Sequence, residues 1–195
     1  METTPARIGL YGGSFDPVHL GHLLVAQAAR EEIQLDRIFL IPAAQSPFKP
    51  ERQLVAAEIR TQMIRLALQG WTDCEIDTQE IRRGGVSYTV ETARDYKTRF
   101  PDSSLFYLIG ADHVPFLPKW RCAAELAGLV EFVVIPRPGE PLASLPEPFR
   151  GVHLAGFPLG VSSSQIRARV RAGLAVDLLT GPLVAEAIRN NRLYL

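Results

Sequence analysis

Residues 12–22 read GGSFDPVHLGH and follow directly on the short apolar run Ile8-Gly9-Leu10-Tyr11. Two of the chain's four histidines, His19 and His22, lie inside this stretch. The apolar run predicts a buried strand. Beyond it, Leu23, Leu24, Ala26, Ala28, Ala29 and Ile33 share one helical face that ends near Gln34. The stretch is therefore a strand-to-helix turn. Gly12 and Gly13 are expected to let the backbone turn sharply and approach a ligand closely, and Pro17 to stiffen the turn. His22 falls in the first turn of the helix, where N–H groups without intrahelical acceptors and the helix dipole favour anions. The arrangement suits phosphate. It is not the dinucleotide G-x-G-x-x-G pattern, because the glycine spacing differs and histidines take the contact positions. A zinc site would need His113 or His153, both far away in the chain.

Outward from this turn, strands and helices alternate. Arg37–Ile41 predicts a second strand closed by Pro42, and Arg52–Leu68 a helix through Val55, Ile59, Met63, Ile64, Ala67 and Leu68, ended by Gly70. Cys74–Asp77, Ser104–Ile109 and Leu129–Ile135 predict further strands, with a turn at Gly84-Gly85 and a helix from Tyr88 to Thr98. Pro136 to Pro148 reads as a surface loop. A short strand at Val152–Leu154 and two helices, Ser163–Ala172 and Pro182–Asn190, follow. The pattern predicts an α/β fold, a Rossmann-like doubly wound parallel sheet in one domain over residues 1–195, with a small helical part at about 160–195. Ligands of such sheets bind where strand order reverses, at the strands' carboxyl ends.

Composition narrows the class. With 21 basic and 21 acidic residues the net charge is zero, which argues against a bulk nucleic-acid partner. No run of about 18 apolar residues and no basic, apolar leader appears, so a cytoplasmic protein without a membrane partner is expected. Cys74 and Cys122 have no metal-ligand spacing and are expected to be incidental thiols. A homo-oligomer is compatible with the sequence, which does not separate an exposed apolar stripe from core.

A second candidate anion site lies at Gly160-Val161-Ser162-Ser163-Ser164-Gln165-Ile166-Arg167. Ser162 with Gln165 three residues on forms a capping box, the mark of a helix start. Hydroxyls, N–H groups and Arg167 would then face one ligand. Together, the H-x-G-H turn and this segment resemble the nucleotidyltransferase superfamily that includes the nicotinate mononucleotide adenylyltransferases, whose second motif reads I-S-S-T-x-I-R. The two histidines of that superfamily bind nucleoside triphosphate and stabilise the transition state. The resemblance implies catalytic roles for His19, His22, Lys49 and Arg167. It implies ATP contacts at Gly12, Gly13, Ser14, Phe15, His19 and His22, then at Gly110 and Asp112, and at Ser162, Ser163, Ser164 and Arg167.

Three further stretches point to the acceptor. Ser87-Tyr88-Thr89 resembles the S-Y-T-x-x-T of the pyridine mononucleotide branch, where a neutral turn presents backbone N–H groups to the pyridine carboxylate. Gly110-Ala111-Asp112 with Trp120 resembles G-x-D-x(7)-W, whose indole stacks the pyridine ring. Ser46-Pro47-Phe48-Lys49 resembles S-P-H-K, with Phe48 replacing the histidine. The implied mononucleotide contacts are Ser14, Lys49, Ser87, Tyr88, Thr89 and Trp120. The implied reaction is transfer of AMP from ATP to nicotinate mononucleotide, giving deamido-NAD and pyrophosphate. Mg²⁺ would be held mainly by the ATP phosphates rather than by a carboxylate cage. Asp16 is read as a turn former, with contact to the metal as the alternative. The alternatives are a nicotinamide mononucleotide or phosphopantetheine adenylyltransferase, or a nucleotide sensor without turnover.

Overall fold

Strands β1 (Arg7–Gly13), β2 (Arg37–Pro42), β4 (Ser104–Gly110) and β5 (Glu131–Ile135) are runs of apolar residues without polar alternation. Such runs require cover on both faces of the sheet. The computed structural model describes residues 5–47, 53–136, 139, 144–157 and 159–195. Among these, β3 (Cys74–Ile76) and β6 (Gly151–His153) complete one sheet in the order β3-β2-β1-β4-β5-β6. Every pairing is parallel. The chain walks outward from β1 to β3, then returns to the other side of β1, so strand order reverses between β1 and β4.

Each face carries its own core. On one, Ala26, Ala28 and Ala29 of α1 (Leu20–Glu32) and Met63 and Ile64 of α2 (Ala57–Ala67) pack with Ile38, Leu40, Phe106 and Leu108. Ile166 of α6 (Ser163–Arg171), and Val184, Ala185 and Ile188 of α8 (Pro182–Asn190), join the same cluster. On the other face, Val90, Ala93 and Tyr96 of α4 (Thr89–Arg99) and Leu126 of α5 (Ala123–Leu129) cover Ile8, Leu10, Ile41 and Phe132.

Several elements depart from the sequence reading. A 3₁₀ helix spans Ala111–Lys119, hidden in the sequence by Pro115 and Pro118. Helices α3 (Gln79–Arg83), α5 and α7 (Asp177–Thr180) are too short to show a helical period. The helix expected over 52–68 begins only at Ala57, while α1 begins at Leu20 with His22 in its first turn, as expected. Cys74 is buried, which pushes its thiol up to about 12, and Cys122 is exposed at a left-handed backbone position. No described helix is long and apolar enough to cross a membrane.

Candidate active site

The reversal point opens a cleft of about 750 Å³ at the carboxyl ends of β1 and β4. Gly12, Gly13, Ser14, His19 and His22 line it from β1 and α1. Ser162, Ser163 and Ser164 line it from the start of α6, Gly110 and Asp112 from β4 and the 3₁₀ helix, and Ser87, Thr89 and Trp120 complete the lining. Residues separated by well over a hundred positions thus face one space.

The turn is built differently from the sequence expectation. Gly12 and Gly13 are strand residues without positive φ, so they do not make the turn. Phe15 makes it, at φ 45°, and is fully buried. The two glycines instead provide closeness. A Cβ on Gly12 would collide with the Tyr107 hydroxyl, and one on Gly13 would sit 3.2 Å from the Phe15 ring. The Phe15 ring lies 4.9 Å from the His22 ring, behind it rather than in the cleft. Its fully buried side chain therefore packs against the histidine.

His19 is the N-cap of α1 and His22 its third residue. The His19 backbone N–H donates to His22 Nδ1 at 3.2 Å. In the neutral ring that bond places the proton on Nε2, so His22 presents a donor. The two rings lie against each other with centroids 3.8 Å apart and planes tilted by 34°. Gly21 keeps this pair close to the second motif, because a Cβ there would lie 3.1 Å from the His19 ring and 3.2 Å from the Val161 side chain.

Helix α6 is fastened to the same turn. Ser162 forms the expected capping box, its Oγ accepting the Gln165 N–H at 3.3 Å and Gln165 Oε1 accepting the Ser162 N–H at 2.9 Å. Ser163 Oγ donates to the Pro17 carbonyl at 2.9 Å. The Arg167 guanidinium donates to the Asp16 carbonyl at 2.7 Å and to Ser164 Oγ at 3.0 Å. Arg167 therefore holds the two motifs together and is not itself a wall of the cleft. Two further residues that the sequence does not single out brace this end. Arg60, 2% exposed, donates to the Ser14 and Val55 carbonyls at 2.8 Å each. Tyr194 donates its hydroxyl to Asp16 Oδ1 at 2.8 Å. Nothing in the local pattern marks either residue, since both act on atoms distant in the chain.

The wall where α4 begins rests on neutral groups around the buried carboxylate of Glu80. Ser87 N–H donates to the Gln45 carbonyl at 2.9 Å, and Ser87 Oγ accepts the Ala44 N–H at 3.0 Å and bonds to Glu80. Ser87 is thus spent on fixing its own turn. Thr89 opens α4, so the first N–H groups of that helix have no intrahelical acceptor. Thr89 Oγ1 donates to Tyr107 Oη at 3.3 Å. Tyr88 lies outside the cleft, with its ring 4.4 Å beneath the Arg121 guanidinium. Its side chain is therefore not a wall of the expected mononucleotide site. Glu80, 4% exposed, lines the cleft and accepts Thr92 Oγ1 at 2.6 Å. Burial raises its carboxyl above the usual carboxylate range, against the lowering bonds from Thr92 and Ser87 and the Arg83 charge. Burial likewise keeps the Tyr107 phenol protonated.

Trp120 ends the 3₁₀ helix half-buried, perpendicular to Tyr107 at 6.3 Å and steeply inclined to His113 at 6.3 Å and Phe132 at 6.4 Å. Asp112 is exposed beside His113, at 3.9 Å. Two backbone N–H groups, of Ala155 and Gly156, are held by Glu32 of α1 at 2.7 Å each, which fixes the wall after β6. Lys49 and Phe48 lie outside the described residues. Among the described residues, no group of three or more His, Cys, Asp or Glu is placed to hold a metal ion.

Comparison with known proteins agrees with this geometry. Residues 10–169 match the model of the Cytidylyltransferase-like family. A protein of Opitutus terrae named "Probable nicotinate-nucleotide adenylyltransferase" is 42% identical, over 96% of this chain and 97% of its own. One of Shouchella clausii with the same name is 40% identical, over 96% of each. Among solved structures, the Plasmodium falciparum nicotinic acid mononucleotide adenylyltransferase complexed with NaAD aligns with a TM-score of 0.78 at 17% identity, over 97% of both chains.

Proposed function

The chain belongs to the Cytidylyltransferase-like family, and we propose that it transfers AMP from ATP to nicotinate mononucleotide, forming deamido-NAD and pyrophosphate. The observation that carries this reading is the docking of α6 on the Asp16–Pro17 turn. It brings two helix N-termini and the His19–His22 pair to one end of a cleft whose other end holds Trp120.

The chemistry needs little from the protein beyond placement. The mononucleotide's 5′-phosphate is ionised at neutral pH and attacks the α-phosphorus in line. A P–O bond to that phosphate forms as the bond to the pyrophosphate oxygen breaks, and pyrophosphate leaves with the electron pair. No general base and no enzyme nucleophile are required, so positioning and charge stabilisation supply the rate. His22 Nε2–H and the His19 ring would donate to phosphate oxygens, with the first turns of α1 and α6 adding backbone N–H groups. Lys49 is proposed to neutralise phosphate charge. Arg167 would act mainly by holding the turn, since its guanidinium already serves Asp16 and Ser164.

Mg²⁺ is proposed to arrive with ATP, coordinated by phosphate oxygens and water, where it would offset triphosphate charge. This fits a cleft end whose buried carboxylate, Asp16, is engaged by Tyr194 and faces Arg167. On the acceptor side, Trp120 would stack the pyridinium ring, and the N–H groups opening α4 would meet the ring carboxylate. The test is a panel of acceptors: nicotinate mononucleotide, nicotinamide mononucleotide and phosphopantetheine, each with ATP and Mg²⁺. Pyrophosphate and deamido-NAD should form fastest with the first. A higher kcat/KM for either of the others would overturn the substrate assignment.

A further inference from the structure

Asp16 is 2% exposed at the base of the phosphate end, and its environment is made by two elements far away in the chain. Arg167 donates to its carbonyl at 2.7 Å and stands 3.9 Å from Oδ2. Tyr194, 178 positions away, donates to Oδ1 at 2.8 Å. The path by which Tyr194 arrives is itself constrained. After α8 the chain passes through Arg192 at φ 48° and Tyr194 at φ 66°, both left-handed, with Leu193 between them buried in the core. Non-glycine residues adopt such angles at a cost, and they persist where the surroundings dictate them. Here the two reversals turn Leu193 into the core and the next side chain onto Asp16. Leu193 N–H and Asn191 N–H bond back to Ile188 and Ala187 at 3.0 and 3.1 Å, so the segment is pinned to α8.

We propose that Tyr194 is a positioning residue for the triphosphate, acting through Asp16 on the turn that carries His19. The proposal rests on the reading of this cleft as an ATP site. A hydrogen bond from a phenol to a buried carboxylate is charge-assisted and short-range. It fixes the orientation of a side chain whose own backbone carbonyl is held by Arg167, and whose neighbour Pro17 is held by Ser163. Three residues on, His19 caps α1 and lies against His22. Without the Tyr194 hydroxyl, the carboxylate keeps Arg167 nearby but loses a donor on Oδ1. It then reorients, and the cap that places His19 shifts with it. The acceptor end of the cleft shares no described bond with Tyr194 and should not notice.

The experiment compares wild type, Tyr194→Phe, Asp16→Asn and the double variant. Tyr194→Phe removes one oxygen from a half-buried ring, so the fold is kept. ATP binding is measured alone by calorimetry, and kcat and KM are measured for both substrates. Tyr194→Phe should weaken ATP binding and lower kcat/KM for ATP about tenfold, the scale of one charged hydrogen bond. KM for the mononucleotide should stay within about twofold, and the double variant should be no worse than Asp16→Asn. Unchanged ATP affinity in Tyr194→Phe, or a loss that multiplies with that of Asp16→Asn, would overturn the proposal. Because ATP binding is read without the acceptor, the two readings fail separately. A wild-type chain that binds ATP but forms no deamido-NAD removes the proposed reaction only.

Discussion

At the end of the cleft formed by β1 and α6, polar side chains are spent on atoms distant in the chain, most of them backbone carbonyls. Arg167 and Ser163 reach the Asp16–Pro17 carbonyls, Arg60 reaches Ser14, and Tyr194 reaches Asp16. At the end formed by α4 and the 3₁₀ helix, the supports are more local. Ser87, Thr92 and Glu80 serve one another, and Trp120 is framed by rings. In the proposed reaction the first end would handle a highly charged group that reorganises, so its donors must be held against displacement. The second would handle a flat ring that does not react, and stacking there tolerates small shifts. Damage at the first end should therefore appear in kcat, and damage at the second in KM for the acceptor.

The largest effect is expected at the first end. His22→Ala removes the donor whose tautomer is set by the His19 N–H, and kcat should fall about 10²–10³-fold, the cost of one oriented transition-state donor. The unfolding temperature should change little, because the ring is only partly buried. Steady-state turnover near wild type would remove His22 from the chemistry.

Trp120→Ala probes the opposite end. Loss of a stacking platform is worth about 1–3 kcal/mol per ring, so KM for the mononucleotide should rise about tenfold or more. KM for ATP should stay within about twofold. Equal increases in both values would dissolve the division between the two ends.

Gly21→Ala tests whether the ends of the phosphate clamp touch through that glycine. A methyl there must push the His19 ring or Val161 outward by tenths of an ångström. Overpacking of this kind costs about 1–3 kcal/mol. Turnover should fall about threefold to tenfold, less than in His22→Ala, with the acceptor KM unchanged. Measured kcat at wild-type level would show that the contact gives freely.

The same contrast explains what the sequence discloses. Residues 12–22 compress donors, glycines and a proline into one turn, and the capping box at Ser162–Gln165 is local as well. Apolar runs without alternation disclose strands covered on both faces, hence the parallel sheet. Arg60 is invisible, because an arginine on a helix face reads as solvated until its guanidinium is seen 46 positions away on Ser14. The 3₁₀ helix is invisible because prolines 115 and 118 suggest a loop. Gly12 and Gly13 are legible as necessary, but not as the residues that make the turn. They admit Tyr107 and Phe15, while the left-handed turn residue is Phe15 itself.

The smallest effect concerns Glu80, the buried carboxylate of the acceptor end. Burial raises its folded pKa above the ordinary 4.5, despite bonds from Thr92 and Ser87. In the window between 4.5 and that raised value, the folded chain binds more protons than the unfolded one. Stability attributable to this group therefore rises as pH falls through the folded pKa, and the ionised group costs stability above it. Glu80→Gln carries no titrating proton, so its stability should climb less than that of wild type on acidification through this window. Thermal unfolding of both proteins in steps from pH 7.5 to about 4.5 reads the difference directly. Parallel profiles would mean that Glu80 does not titrate there. Because Glu80 also fixes Ser87, the same variant should raise KM for the mononucleotide by about twofold to fivefold and leave KM for ATP unaltered. That outcome would place the buried Glu80 on the same side of the division as Trp120, acting on affinity and not on the reacting phosphates.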